Sequence, residues 1–347
     1  MTRIIFPLLC LVVAAPARAK IPAESEECLG CHEDPTGSFD LPSGEKLPLF
    51  VDVKVFEKSV HGQINKCTDC HVGKKPDHAT GELPYKTRHE ASRAYFENCK
   101  SCHEDKYKRL LDGIHYGKIA TGSVKTPACG ECHGAHDIVS AKESRTRVAT
   151  RCMGCHPTQA ATWKQSVHGR AVDTNKDLPV CTDCHRPHDP TDPRDGGALS
   201  LRTAQICSRC HSDREIAARY KMSPNVVKTY LADFHGMAAQ LSKGKKKGPA
   251  VRIVAGCNDC HGVHDIQRTD DPSSTVIAAN LQKTCARCHE GASATFPKAW
   301  LSHYEPTLDK APLVWAVQLF YRFMIPFMVG GLSLQIALHL WRALVKR

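Results

Sequence analysis

Aromatic residues are scarce, 6% of 347 with only 4 Trp. Alternating runs of valine, isoleucine and aromatics are hard to find, and Pro and Gly (21 and 23) interrupt the chain throughout, so a large sheet is not expected. The length permits two or three ordinary domains, but this composition argues against them. Disorder is also unexpected, because 41% of residues are apolar. What abounds is cysteine and histidine, 19 and 20 residues.

Both ends carry membrane signals. Residues 1–19 have the parts of a secretory leader: Arg3, an apolar stretch over 4–15, and Ala17-Arg18-Ala19 before Lys20. The apolar run is too short to span a bilayer, so a cleaved leader that takes Cys10 with it is expected. At the other end, residues 313–340 are almost wholly apolar, broken by Gln318, Arg322, Gln335 and His339. As a helix, residues 323–340 reach about 27 Å, close to the ~30 Å hydrocarbon core. Arg342, Lys346 and Arg347 follow, which places that end in the cytoplasm. The expectation is an exported protein, its bulk in the periplasm, anchored in the inner membrane by residues 312–347.

Beyond Cys10, the remaining 18 cysteines form nine pairs, and every pair reads Cys-x-x-Cys-His. They are Cys28/Cys31/His32, Cys67/Cys70/His71, Cys99/Cys102/His103, Cys129/Cys132/His133 and Cys152/Cys155/His156. Cys181/Cys184/His185, Cys207/Cys210/His211, Cys257/Cys260/His261 and Cys285/Cys288/His289 complete the set. Two thiols at this spacing can add to the two vinyl groups of one haem, and the next residue then delivers its imidazole to the iron. Zinc binding and disulfides are competing uses of cysteine, but neither requires His after the second Cys. Nine such coincidences by accident are negligible. The expected cofactors are nine covalently attached haem c groups, with the nine motif histidines as proximal iron ligands.

Eleven histidines lie outside the motifs. Each odd-numbered motif is followed by a more distant one: His61, His115, His168, His235 and His303. Each even-numbered motif carries a closer one: His78, His136, His188 and His264. These nine are the candidate distal ligands, with His89 able to take the place of His78, and His339 spare. Spacing does not assign which distal histidine serves which iron. The pattern divides residues 20–311 into two-haem repeats at about 28–98, 99–151, 152–206 and 207–284, with a half repeat at 285–303.

A mature chain offers too few residues for nine conventional cores, so haem itself must supply much of the buried apolar material. The expected fold is mainly α and irregular, a haem-packed array of two-haem repeats with one C-terminal transmembrane helix. Residues 91–98 and 214–231 read as helical; 74–80, 187–197 and 242–249 read as loops. The repeated motifs, the Ser-Val-His-Gly segments and the Cys-His-x-x-His-Asp clusters resemble exported multihaem c-type cytochromes. The C-terminal helix is similar to that of multihaem subunits working with a cytochrome b-type quinol oxidoreductase.

That resemblance implies an electron-transfer subunit without catalytic residues of its own. It would carry electrons between a membrane quinone or integral cytochrome b partner and soluble or extracellular acceptors. A reductase of a small nitrogen or sulfur oxyanion with one open haem, and a filament-forming cytochrome, are the alternatives. The formal charge of +11 does not imply nucleic acid, because roughly −1 per oxidised bis-His haem cancels most of it. The run at 243–247 reads as a solvated loop. The ninth haem is expected to be the port to the membrane, because His303 lies just before the apolar segment.

Overall fold

The computed structural model describes residues 21–75, 78, 83–111, 113–120, 123, 126–140, 143–186, 188, 196–241, 254–299, 303 and 305–345. The leader at 1–19, the run at 243–247 and most of the three expected loops lie outside the described residues. The architecture is short helices joined by irregular chain. Two compact units emerge, Met1–Pro157 with Val180–Thr191, and Thr158–Pro179 with Asp192–Arg347. The first carries motifs one to six; the second carries motifs seven to nine and the C-terminal helix.

In the first unit the helices are α1 (Glu26–His32), α2 (Val53–Lys58), α3 (Cys67–Cys70), α4 (Arg88–Ala94), α5 (Glu104–Leu111), α6 (Ile114–Ala120), α7 (Cys129–His133) and α8 (Arg145–Cys155). A 3-10 turn, Phe96–Ser101, carries most of the third motif. After α9 (Pro157–Lys164), α10 (Cys181–Cys184) returns to this unit. Local chemistry sets several starts. The Asp52 carboxylate accepts from the Val55 N–H at 3.1 Å, and the Thr87 hydroxyl from the Glu90 N–H at 3.0 Å.

Among the described residues the sheet content is one small ribbon, β1 (Ser38–Asp40) antiparallel to β2 (Lys46–Pro48), in the register Phe39↔Leu47. Gly44, at φ 82°, supplies the left-handed residue of its turn. The ribbon has a purpose: it brings Leu49 back to the first motif, where the Leu49 carbonyl accepts from His32 Nδ1 at 2.7 Å.

The second unit holds α11 (Gly196–His211), α12 (Arg214–Arg219), α13 (Val226–Ala232), α14 (Phe234–Leu241), α15 (Cys257–His261), α16 (Ala278–Ala286) and α17 (Pro312–Val345). The single helix expected over 214–231 is two helices. The chain turns at Lys221, φ 55°, and Pro224 cannot donate the hydrogen bond that would continue the first one. Gly196 and Gly197, expected at the end of a loop, begin α11.

Packed apolar groups are few and small. One cluster is Ile21, Leu29 and Phe56; another is Phe96, Tyr107 and Ala128. Three of the four largest fully buried side chains are serines: Ser25, Ser59 and Ser166. Such clusters cannot by themselves offset the ordering of so long a chain. α17 is a different case. It is 34 residues long, its most apolar 18-residue stretch has mean hydropathy 1.6 and none of that stretch is buried, so it is a candidate membrane span by length and composition.

Candidate haem-binding sites

The nine motifs come in two structural kinds. Even-numbered motifs are single-turn helices that begin at their first cysteine, each with an acid one residue before the second cysteine. Asp69, Glu131, Asp183 and Asp259 accept from the backbone N–H of Lys66, Ala128, Val180 and Gly256 at 2.8, 2.5, 2.7 and 2.6 Å. Each carboxylate satisfies a donor that a one-turn helix would otherwise leave open. Among the odd-numbered motifs, the first, fifth and seventh instead end helices that start upstream: α1, α8 and α11. The odd motifs carry no acid at the corresponding position.

Cysteine contacts follow the same alternation. The first cysteines of motifs one and two, Cys28 and Cys67, are hydrogen-bonded, as are Cys99 with Cys129, Cys152 with Cys181 and Cys207 with Cys257. Second cysteines face the next pair: Cys70 lies near Cys99 and Cys102, Cys132 near Cys155, and Cys260 near Cys285. No two motif cysteines are joined in a disulfide. Buried hydroxyls lock two of the pairs. Ser25 accepts from the Cys67 N–H and Thr203 from the Cys257 N–H, both at 3.2 Å. At the third pair, Arg145 donates to Asp183 at 2.6 Å.

The second cysteines differ in exposure: Cys31, Cys70, Cys102, Cys155, Cys184 and Cys288 are exposed, whereas Cys132, Cys210 and Cys260 are half-buried. Cys31, in the first motif, is an exposed free thiol at the end of α1. Cys210, in the seventh motif, is half-buried in the last turn of α11 and in no disulfide, and its carbonyl accepts from the Asp213 N–H at 3.1 Å.

The histidines meet in pairs. Two imidazoles on opposite sides of one iron, with metal–nitrogen bonds of about 2 Å, put their ring centres about 6 Å apart. In the first unit His32 stands 6.0 Å from His78, His61 6.0 Å from His103, and His71 6.0 Å from His136. His115 is 6.3 Å from His156, and His133 is 6.0 Å from His188. In the second unit His168 is 6.3 Å from His211, His235 6.3 Å from His289, and His261 6.2 Å from His303. His185 and His264 fall in different units, and each makes interactions of its own.

A rule runs through these pairs. A histidine after an odd motif stands with the motif histidine two motifs onward, as His61 does with His103. One closely behind an even motif stands with the motif histidine two motifs back, as His136 does with His71. The exceptions are at the chain ends, His78 with His32 and His303 with His261. Against the sequence expectation, His303 therefore does not face the ninth motif. It faces the eighth. His89, the alternative to His78, is engaged elsewhere: its Nδ1 contacts the Glu131 carboxylate.

Residues that motif reading missed hold the following histidines in place. Ser59 accepts from the Gly62 N–H at 2.9 Å, Ser166 from the His168 and Gly169 N–H groups at 3.2 Å, and Asp233 from the Gly236 N–H at 2.9 Å. The recurring pattern Ser/Asp-x-His-Gly was the available signal. Backbone straps tie these segments to the even-motif clusters, Val60 N–H to the Ile138 carbonyl at 2.9 Å and Val167 N–H to Ile266 at 2.8 Å. Gly134 and Gly262, at φ 88° and 82°, let the chain turn between motif histidine and following histidine, with Asp137 and Asp265 packed under them.

Burial keeps these rings neutral. His71, His168 and His261 are pushed down to about 4, first by desolvation and then by neighbouring imidazoles. His61, His115, His133, His136, His211 and His303 move the same way, for lack of water. A neutral ring keeps the lone pair that a metal needs. The unfolded chain takes up these protons near pH 6.5 and the folded chain only near 4, so stability is intact at pH 7 and falls as pH drops through that window. An acid titration followed by visible absorption should show loss of low-spin bands on the acid side only, with no matching loss between pH 7 and 9.

The site residues fit covalent haem: each motif supplies a thiol pair, and eight pairs of imidazoles stand at the spacing of two axial ligands. In the second unit an open cavity of about 640 Å³ lies against Asp259, Gly262, His264, Asp265, Arg287 and Cys288, a size suited to a large planar group.

Residues 54–134 match the family model of cytochrome c7 and related cytochrome c, and residues 121–212 that of cytochrome c3. No curated protein and no solved structure matches the chain. The two family matches support a multihaem c-type cytochrome and imply covalently bound haem c; they run over motifs two to seven.

Proposed function

We propose that the protein is a membrane-anchored, extracytoplasmic electron carrier with nine haem c groups, each held by one Cys-x-x-Cys-His motif. The carrying observation is the set of eight imidazole pairs at 6.0–6.3 Å. An iron with two histidines has no free position for substrate, which favours transfer over catalysis. Bound haem supplies one-electron iron chemistry. The chain sets the spacing of the motifs, excludes water and keeps the second ligand neutral. The chained cysteine contacts support a continuous path along each unit.

Intact mass of the mature, fully loaded protein should exceed the chain by nine haem units. Low-temperature EPR of the oxidised form should contain only low-spin signals. A shortfall in mass breaks the count, and a stoichiometric high-spin haem turns the reading towards an enzyme.

The partner in this reading is an integral cytochrome b or quinol oxidoreductase subunit, reached through α17. The connection from His303 to Pro312 spans at most about 33 Å even when extended, and the Lys228–Glu305 ion pair at 2.6 Å ties it to α13. His303 faces His261, so the eighth haem is the one leashed to the membrane, and electrons exchange with the quinone pool there. Cys257→Ala with Cys260→Ala should abolish reduction of the remaining haems by quinol. Reduction at the normal rate would place the port elsewhere.

A further inference from the structure

His89 belongs to no imidazole pair, yet it is held as firmly as those that do. It sits in the first turn of α4 with its side chain 19% exposed, and its Nδ1 contacts Glu131 Oε1. Glu131 is itself fixed, its other oxygen accepting from the Ala128 N–H at 2.5 Å. The opposite ring nitrogen, Nε2, is closed to solvent and has no hydrogen-bond partner among the described residues. A buried, oriented nitrogen left open is costly, and such a group calls for a partner.

Its surroundings limit what that partner is. α4 packs against α7, which carries the fourth motif, and against the 3-10 turn of the third. At its end, the Tyr95 ring lies 4.6 Å from His71 of the second motif. His89 is thus wedged among three haem attachment sites. The iron positions there, at His71, His103 and His133, already have His136, His61 and His188 opposite. An iron is therefore not the missing partner. What haem also brings is its pair of propionate carboxylates.

We propose that His89 is a propionate-binding residue: an imidazolium that gives Nδ1–H to Glu131 and Nε2–H to a haem propionate. It anchors that carboxylate and places a positive charge beside one haem of motifs two to four. Three nearby charged groups have other partners. Arg151 donates to the Glu131 carbonyl at 3.3 Å, Arg93 to the Ser123 carbonyl at 3.1 Å, and Glu90 accepts from the Lys86 N–H at 2.6 Å.

The proposal rests on the two-histidine ligation above, and the experiment separates the two. Wild type, His89→Leu and His89→Gln are compared as fully loaded proteins by potentiometric titration and EPR. Removing the positive charge favours the oxidised iron, so His89→Leu should lower one haem's potential by about tenfold in its redox equilibrium, about 59 mV. His89→Gln, which keeps a donor, should retain every haem and shift the same component less. In both variants all irons stay low-spin. A new high-spin iron in either would make His89 a ligand and overturn the proposal. So would potentiometric curves that superimpose on wild type, or loss of haem from the Gln variant. If the ligation reading itself were wrong, high-spin iron would already be present in the wild type.

Discussion

His303→Ala should leave one iron high-spin, and that iron belongs to the eighth motif although His303 follows the ninth. His303 stands 6.2 Å from His261, whereas His289 of the ninth motif has His235 at 6.3 Å. The assignment can be read out by combining variants. In a background without the ninth haem, made by Cys285→Ala and Cys288→Ala, His303→Ala should still create one full equivalent of high-spin haem. His235→Ala in that background should create none, because its iron is gone. Exchange of these two outcomes would return His303 to the ninth motif and remove the leash from the eighth. EPR integrated against total haem provides the count, and carbon monoxide binding to the reduced protein gives an independent one.

The second large effect is at three glycines. Gly62, Gly169 and Gly236 each follow a histidine and lie against the carbonyl six residues earlier, on the helix that leads into the segment. A Cβ there would be 1.9 Å from the Phe56 oxygen, 2.0 Å from that of Trp163 and 1.9 Å from that of Tyr230. The obstacle is backbone, so no side chain can swing away. Overpacking usually costs roughly 1–3 kcal/mol, and a backbone clash should reach the upper end of that range. Alanine at each position should displace the adjacent histidine and disturb one haem: that of His103 for Gly62, His211 for Gly169 and His289 for Gly236. Gly30 and Gly154 supply the control. They lie inside Cys-x-x-Cys motifs, yet nothing is within 4 Å of an added Cβ. Gly30→Ala and Gly154→Ala should leave the spectra unchanged. Equal damage at all five sites would mean that glycine matters here for chain flexibility, not for close approach.

Much of this could be read from the chain alone. Attachment chemistry is local: two thiols and an imidazole within five residues suffice, so all nine motifs are visible in sequence. The helical and irregular character follows from the scarcity of strand-forming runs, and α17 from its predominantly apolar composition. Even the two kinds of motif were legible, since Asp69, Glu131, Asp183 and Asp259 mark the even ones. What the motif spelling hid is the setting of each thiol, exposed at Cys31 and half-buried at Cys210. The helix expected over 214–231 was misread because Pro224 and the left-handed Lys221 outweigh an otherwise helical composition.

Pairing was not legible, and the reason is physical. An iron takes its second imidazole from whatever segment packs on its far side, and that segment is set by long-range contacts, not by proximity in the chain. His61 passes over the second motif to reach His103, and His136 runs back past the third to His71. The straps between Val60 and Ile138, and between Val167 and Ile266, are backbone bonds that carry no residue signature. His78 and His89 were interchangeable candidates by residue type; only packing put one against His32 and the other against Glu131. The donors, their number and their chemistry were determined by the sequence, because covalent attachment needs only neighbours. Which donors share an iron was decided by the tertiary structure, because ligation across a ring needs two segments brought together from a distance.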